Sequence, residues 1–122
     1  MLRVAFLPSD FNPMVLMLGE REDLHRLAAT LRRFALAPAD TAIERSRVSL
    51  TASDGPLGIH PAGEPDAFLW RLDAATARTF ADQVDSLAQP ALLAGSEILV
   101  CTTEEEIPVK VSRGEYTDDF LR

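Results

Sequence analysis

The chain has one cysteine (Cys101), one lysine (Lys110), one tryptophan, one tyrosine, two histidines and six glycines among its 122 residues. A single cysteine cannot form an internal disulfide, which suits a reducing compartment. Two histidines with one cysteine cannot complete a tetrahedral zinc site, and no CxxC, HxxxH or HExxH spacing occurs. "DFNPMVLMLGERED" lacks the alternating Asp/Asn ladder of a calcium loop. The few glycines form neither a P-loop nor a GxGxxG turn, so nucleotide phosphates have no cradle. No cofactor and no metal are therefore expected. Positive charge is also short: 12 basic residues against 19 acidic ones give a formal charge of −7 and a pI near 4.7. Such a balance repels a phosphate backbone, so no nucleic acid is expected as a partner. Long apolar runs are missing as well. Arg3, Pro8 and Asp10 interrupt "MLRVAFLPSDFNPMVLMLG", which fits neither a leader peptide nor the roughly 20 apolar residues of a membrane span. The expectation is a soluble cytoplasmic protein that does not bind membranes. Its heavy use of arginine over lysine associates with GC-rich bacterial genomes.

What is present suits a globular fold. Hydrophobic residues make up 47% and charged residues 25%, and 122 residues suit one domain over 1–122. Leu24, Leu27, Ala28, Leu31, Phe34 and Ala35 form one apolar helical stripe, with Glu20, Glu22 and Asp23 at its start and Arg32 and Arg33 near its end. Pro38 stops this helix. Ala77, Phe80, Ala81, Val84, Leu87 and Ala88 form a second stripe, with Asp73 as its N-cap and Pro90 as its stop. The two stripes match at a constant offset of 53 (77 minus 24, 80 minus 27). "MVLML" and "AFLWR" precede them at that same offset, and "LRVAFL" has a weaker counterpart in "GPLGIH". The pattern suggests two β-β-α units and a final hairpin.

Strands follow from period-two alternation: Leu2, Val4 and Phe6; Val48, Leu50 and Ala52; Phe68, Trp70 and Leu72; Ile107, Val109 and Val111. "EILVC" is continuously apolar, like a strand inside a sheet. Pro108 cannot donate to a ladder, so its strand lies at an edge or begins there. Two helices with one apolar face each and about six strands predict an α+β two-layer sandwich. Both helices would pack on one face of a largely antiparallel sheet. The uncovered face, with Leu69 or Leu99 on it, would favour a homodimer.

Chemistry is harder to find. His25 lies off the centre of the first stripe and reads as a half-exposed helix residue. His60, in "GPLGIHPAGEP", reads as a loop residue. Cys101 sits between Val100 and Thr102 in a strand, near Glu104 to Glu106, whose charge opposes a reactive thiolate. A pocket between helices and sheet would call first on Arg71, His60 and Glu64. The acidic charge is concentrated near the end: Glu97, Glu104, Glu105, Glu106, Glu115, Asp118 and Asp119 face only Lys110 and Arg113 over that stretch. A charged edge keeps sheets from aggregating, and the same field would also steer a basic protein partner. Tyr116 and Phe120 place aromatics inside this acidic segment, as interface centres do.

The C-terminal "EIPVKVSRGEYTDDFL", with its small ββα-type body, resembles small uncharacterised bacterial proteins, including predicted toxin-immunity proteins. The resemblance covers about the last 25 residues and carries no functional residue over by position. It implies a protein that occludes a partner's basic surface. The first expectation is therefore a non-enzymatic protein acting through protein contacts, with Glu104, Glu105, Glu106, Tyr116, Asp118, Asp119 and Phe120 as the binding surface and no catalytic residues. The alternatives are a small enzyme or ligand-binding domain with its pocket between helices and sheet, and a homo-oligomeric structural module.

Overall fold

The computed structural model describes residues 2–7, 13–43, 46–63, 67–89, 94–101 and 107–113. The first half runs β1 (Arg3–Leu7), β2 (Met14–Leu18), α1 (Arg21–Leu36), β3 (Thr41–Ala42) and β4 (Val48–Ala52). The second runs β5 (Gly58–Pro61), β6 (Phe68–Leu72), α2 (Ala74–Leu87), β7 (Gly95–Leu99) and β8 (Val109–Arg113).

Both helices begin on an acidic cap. Asp73 accepts a hydrogen bond from the Thr76 backbone N–H at 2.7 Å, satisfying one of the donors that a helix start leaves open. The Thr76 side chain, and then its backbone N–H, hold the Asp73 carboxyl below the usual carboxylate range. At the start of α1 the buried Asp23 accepts from the Glu20 N–H at 2.9 Å and pairs with Arg26. Burial pushes the Asp23 carboxyl up, but the Glu20 N–H and nearby cations, Arg26 among them, outweigh it and hold it low. Every residue of the two expected stripes is buried.

The strands form two sheets, not one. Sheet A has the order β1-β2-β8-β7 and sheet B the order β3-β4-β6-β5, four strands each. Both sheets are mixed, with a parallel central pair (β2 with β8, β4 with β6) flanked by antiparallel neighbours. The expectation of a single sheet of about six strands is therefore corrected. The reason is topological, because each half sends one hairpin to each sheet. Sheet A takes β1–β2 from the first half and β7–β8 from the second, and sheet B takes β3–β4 and β5–β6.

The repeating unit is correspondingly β-β-α-β-β, a correction to two β-β-α units with a terminal hairpin. The halves agree residue by residue. Val15, Leu16 and Met17 face Val109, Lys110 and Val111 in sheet A, as Phe68, Leu69 and Trp70 face Val48, Ser49 and Leu50 in sheet B. Backbone bonds outside the ladders repeat too. The Val15 N–H donates to the Pro108 carbonyl at 3.0 Å and the Phe68 N–H to the Arg47 carbonyl at 2.9 Å. The molecule thus has a pseudo-two-fold axis, with α1 and α2 packed on each other.

One apolar cluster joins both helix stripes to the inner faces of both sheets: Val15, Met17, Leu99, Val109 and Val111 from sheet A, and Val48, Leu50, Ile59, Phe68, Trp70 and Leu72 from sheet B. Leu99 belongs to this core rather than to an open face. "EILVC" supplies β7, which is an edge strand and not an internal one. Its end is capped by Gln83 of α2, which donates to the Ile98 carbonyl at 3.3 Å. Cys101 falls beyond β7 and is half-buried. Pro108 stands just before β8, which is internal, so it marks a strand start. Among the described residues no helix is long and apolar enough to cross a membrane.

Candidate functional site

Because the halves are equivalent, the outer faces of the two sheets can be compared position by position. On the outer face of sheet A stand Leu16 and Leu18 of β2, with Lys110 and Ser112 of β8 beside them. The equivalent positions in sheet B are Leu69 and Arg71 of β6, with Ser49 and Thr51 of β4. The former face is closed: Leu16 is 1%, Leu18 4% and Ser112 1% exposed. The latter is open: Leu69, Ser49 and Thr51 are half-buried and Arg71 is exposed. One fold therefore presents equivalent surfaces twice: Leu16, Leu18 and Ser112 are buried and Lys110 half-buried in sheet A, while none of the four counterparts in sheet B is buried.

His60, expected in a loop, lies in β5 and faces outward beside Leu69. It is exposed. Arg71 pairs in register with Gly58 on one side and Thr51 on the other. His60 and Arg71 are thus diagonal neighbours across β5 and β6, about 7–8 Å apart at the backbone. The Thr51 hydroxyl donates to Asp40 at 2.7 Å on the rim of this face. Among the described residues the Arg71 side chain makes no hydrogen bond or ion pair, although the chain is strongly acidic overall. An exposed guanidinium on a strand flanked by Thr51 and diagonal to His60 is suited to receive a carboxylate in two-pronged fashion.

The same geometry speaks against nucleophilic catalysis on this face. Ser49 and His60 occupy one row but are separated by Leu69. They stand two strand spacings apart, about 9–10 Å, whereas a serine–base pair needs roughly 3 Å.

Of the three residues first considered for a pocket, Arg71 and His60 come together and Glu64 lies outside the described residues. They do not line a pocket between helices and sheet, where the described side chains form the packed core. Among the described residues, two grooves open at the ends of the helix pair. One of about 480 Å³ is lined by Glu20, Arg21, Glu22, Asp23, Arg26 and Arg113. The other, about 220 Å³, is lined by Arg32, Ala35, Leu36, Arg78 and Asp82. The sequence-derived binding residues Glu104, Glu105, Glu106, Tyr116, Asp118, Asp119 and Phe120 all lie outside the described residues. Among the described residues no group of three or more His, Cys, Asp or Glu side chains is placed to hold a metal ion.

A charged cluster on the helix seam was missed by sequence reading. Arg32 of α1 pairs with Asp85 of α2 at 2.6 Å and with Asp82 at 3.0 Å. The other Asp85 oxygen lies 3.4 Å from His25 Nδ1. Asp85, then Asp82, raises the Arg32 pKa further. The signal was available, since Arg32 and Asp85 stand at the offset of 53 that relates the stripes (85 minus 32).

Comparison with protein-family models, curated proteins and solved structures finds no match to this chain.

Proposed function

We propose that the protein acts without catalysis, by binding another protein through the outer face of sheet B, in an immunity-type or regulatory role in the cytoplasm. The observation that supports this is the inequality of two equivalent faces: Leu16, Leu18 and Ser112 are buried while their counterparts Leu69, Arg71 and Thr51 are not. A small, mostly polar face with one leucine suits a partner that comes and goes better than a permanent subunit. Arg71 supplies the specificity, taking an acidic side chain of the partner. The acidic C-terminal segment around Tyr116 and Phe120 is proposed as a second contact, for basic groups on the same partner.

The test places a photo-crosslinking side chain at Ser49 in native cells, with a second copy of the experiment at exposed Arg33 on α1. Capture of one defined protein at Ser49, absent at Arg33 and lost on Arg71→Glu, is the expected result. Equal capture at both positions, or capture indifferent to Arg71→Glu, overturns the assignment. If the protein captured is the chain itself, and light scattering shows twice the 13.4 kDa mass, the face serves the homodimer that the sequence suggested.

A further inference from the structure

Each sheet is completed only when a first half meets a second half, since both parallel central pairs, β2 with β8 and β4 with β6, join unlike halves. Nothing in that pairing requires the two halves to belong to one chain. The covalent link between them is the segment Ser53–Leu57, which leads from the end of β4 to the start of β5. These strands lie on opposite flanks of β6 and run in opposite directions. The link therefore spans two strand spacings, about 9–10 Å, and turns back. It is tied down by the Ser53 N–H bonding to the Leu72 carbonyl at 3.2 Å and the Ser53 hydroxyl to the Pro56 carbonyl at 2.9 Å.

What selects unlike halves is visible on the helix seam. Arg32 and Asp85 are counterparts under the pseudo-two-fold, and they touch at 2.6 Å, so their contact lies on the axis. Two first halves brought together there would set Arg32 against Arg32, and two second halves Asp85 against Asp85. The neighbouring stripe positions are alanine, leucine, valine or phenylalanine in both halves and carry no sign. Apolar positions of similar volume exchange at modest cost, whereas like charges facing each other exclude a pairing.

We propose that a second copy of this chain is a partner for the fold through exchange of halves, and that the Arg32–Asp85 contact decides which halves pair. The first half of one copy closes on the second half of the other, twice, and the contacts between halves, β2 with β8, β4 with β6 and α1 with α2, are remade between chains. Shortening a connecting loop is a common route to such exchange. This inference rests on the topology and is independent of the outer face of sheet B.

Deleting Asp54, Gly55 and Pro56 leaves Ser53 and Leu57 between Ala52 and Gly58. That segment extends at most about 11 Å, which leaves no length for a reversal around β6. The shortened chain is expected to fold as a dimer of twice the parent mass by light scattering, with unchanged circular dichroism, and Arg71→Glu is expected to leave that dimer intact. A folded monomer overturns the exchange.

The charge rule is then tested by co-refolding two shortened chains, one carrying Arg32→Asp and the other Asp85→Arg. Each alone sets like charges on both seams, whereas the heterodimer restores an opposite pair at both. Native mass spectrometry is expected to show the heterodimer exceeding either homodimer by about tenfold, the excess shrinking in high salt. A twofold excess, which random assortment gives, overturns the rule. Should the shortened chain not fold, the same two substitutions in full-length chains, co-refolded at high concentration, decide the matter by whether a one-to-one heterodimer forms.

Discussion

Replacing Phe80 by alanine strikes the place where α2 meets sheet B. The Phe80 ring is 2% exposed and stacks on Trp70, with centroids 5.6 Å apart and planes inclined by 28°. Trp70 stands on internal strand β6 and faces Leu50 and Ile59 in register, all three buried. Removing a ring from such a site loses its transfer free energy and leaves a cavity that strands on one side and a helix on the other cannot collapse. The expected cost is about 3–5 kcal/mol. About 0.5–1.5 kcal/mol of that belongs to the aromatic pair itself, so Phe80→Leu, which keeps most of the volume, should cost no more than about 1.5 kcal/mol. Denaturant unfolding is the assay, followed by the fluorescence of Trp70, the chain's one tryptophan. With about 4 °C lost per kcal/mol for a domain of this size, Phe80→Ala should also lower Tm by roughly 12–20 °C. A measured loss under about 1 kcal/mol would show that the second stripe does not face a packed core.

Two further expectations concern charge. Asp73→Ala removes the N-cap of α2 and should cost about 1 kcal/mol at pH 7. The folded-state pKa of Asp73 is depressed, so its contribution is present above the unfolded value near 3.9 and fades as pH falls through the folded one. Unfolding free energies of wild type and variant should therefore converge below about pH 4, and a gap that persists at pH 2 would refute the cap. If Glu104, Glu105, Glu106, Asp118 and Asp119 only keep an edge soluble, replacing them by glutamine and asparagine should change stability by under about 1 kcal/mol. If those residues steer a basic partner, the same variant should associate more slowly, and the wild-type rate should fall with salt. Equal rates, indifferent to salt, would leave them as a solvated edge.

The helices were readable because a 3.6-residue period reports directly on which side of a segment is buried. Leu24 to Ala35 and Ala77 to Ala88 therefore match the buried residues one for one. Strands give less. Alternation shows which residues share a face, as Val48, Leu50, Phe68 and Trp70 do, but it does not say which strand lies alongside. The division into two sheets depends on β2 pairing with β8 and β4 with β6, partners far apart in the chain, and no local pattern records those pairings. The two-residue β3 left no trace of its own. Hydrophobicity alone does not place "EILVC" inside a sheet. In the fold Ile98, on edge strand β7, and Val100, just past it, are exposed, and the internal place belongs to β8, where Pro108 marks the strand start rather than an edge.

The most informative pair in the repeat is charged, not apolar. At the offset of 53, leucine against phenylalanine or leucine against valine is what any two amphipathic helices would show. Arginine against aspartate at that same offset is different, because two counterparts of opposite sign can meet only if the halves face each other across an axis. Arg32 bonding to Asp85 is that meeting. It links the duplicated pattern in the sequence to the intertwined topology, since halves that face across an axis can also trade hairpins. The proposed binding face follows from the same symmetry. Arg71 and His60 were only loose polar residues in the sequence. They became a site once β5 and β6 were set in register and the surface they share could be compared with its buried equivalent around Leu16. What departs from the symmetry is thus more telling than what obeys it: matched positions report packing, and the exposed Arg71 where the other half buries Leu18 is the departure on which the proposed binding face rests.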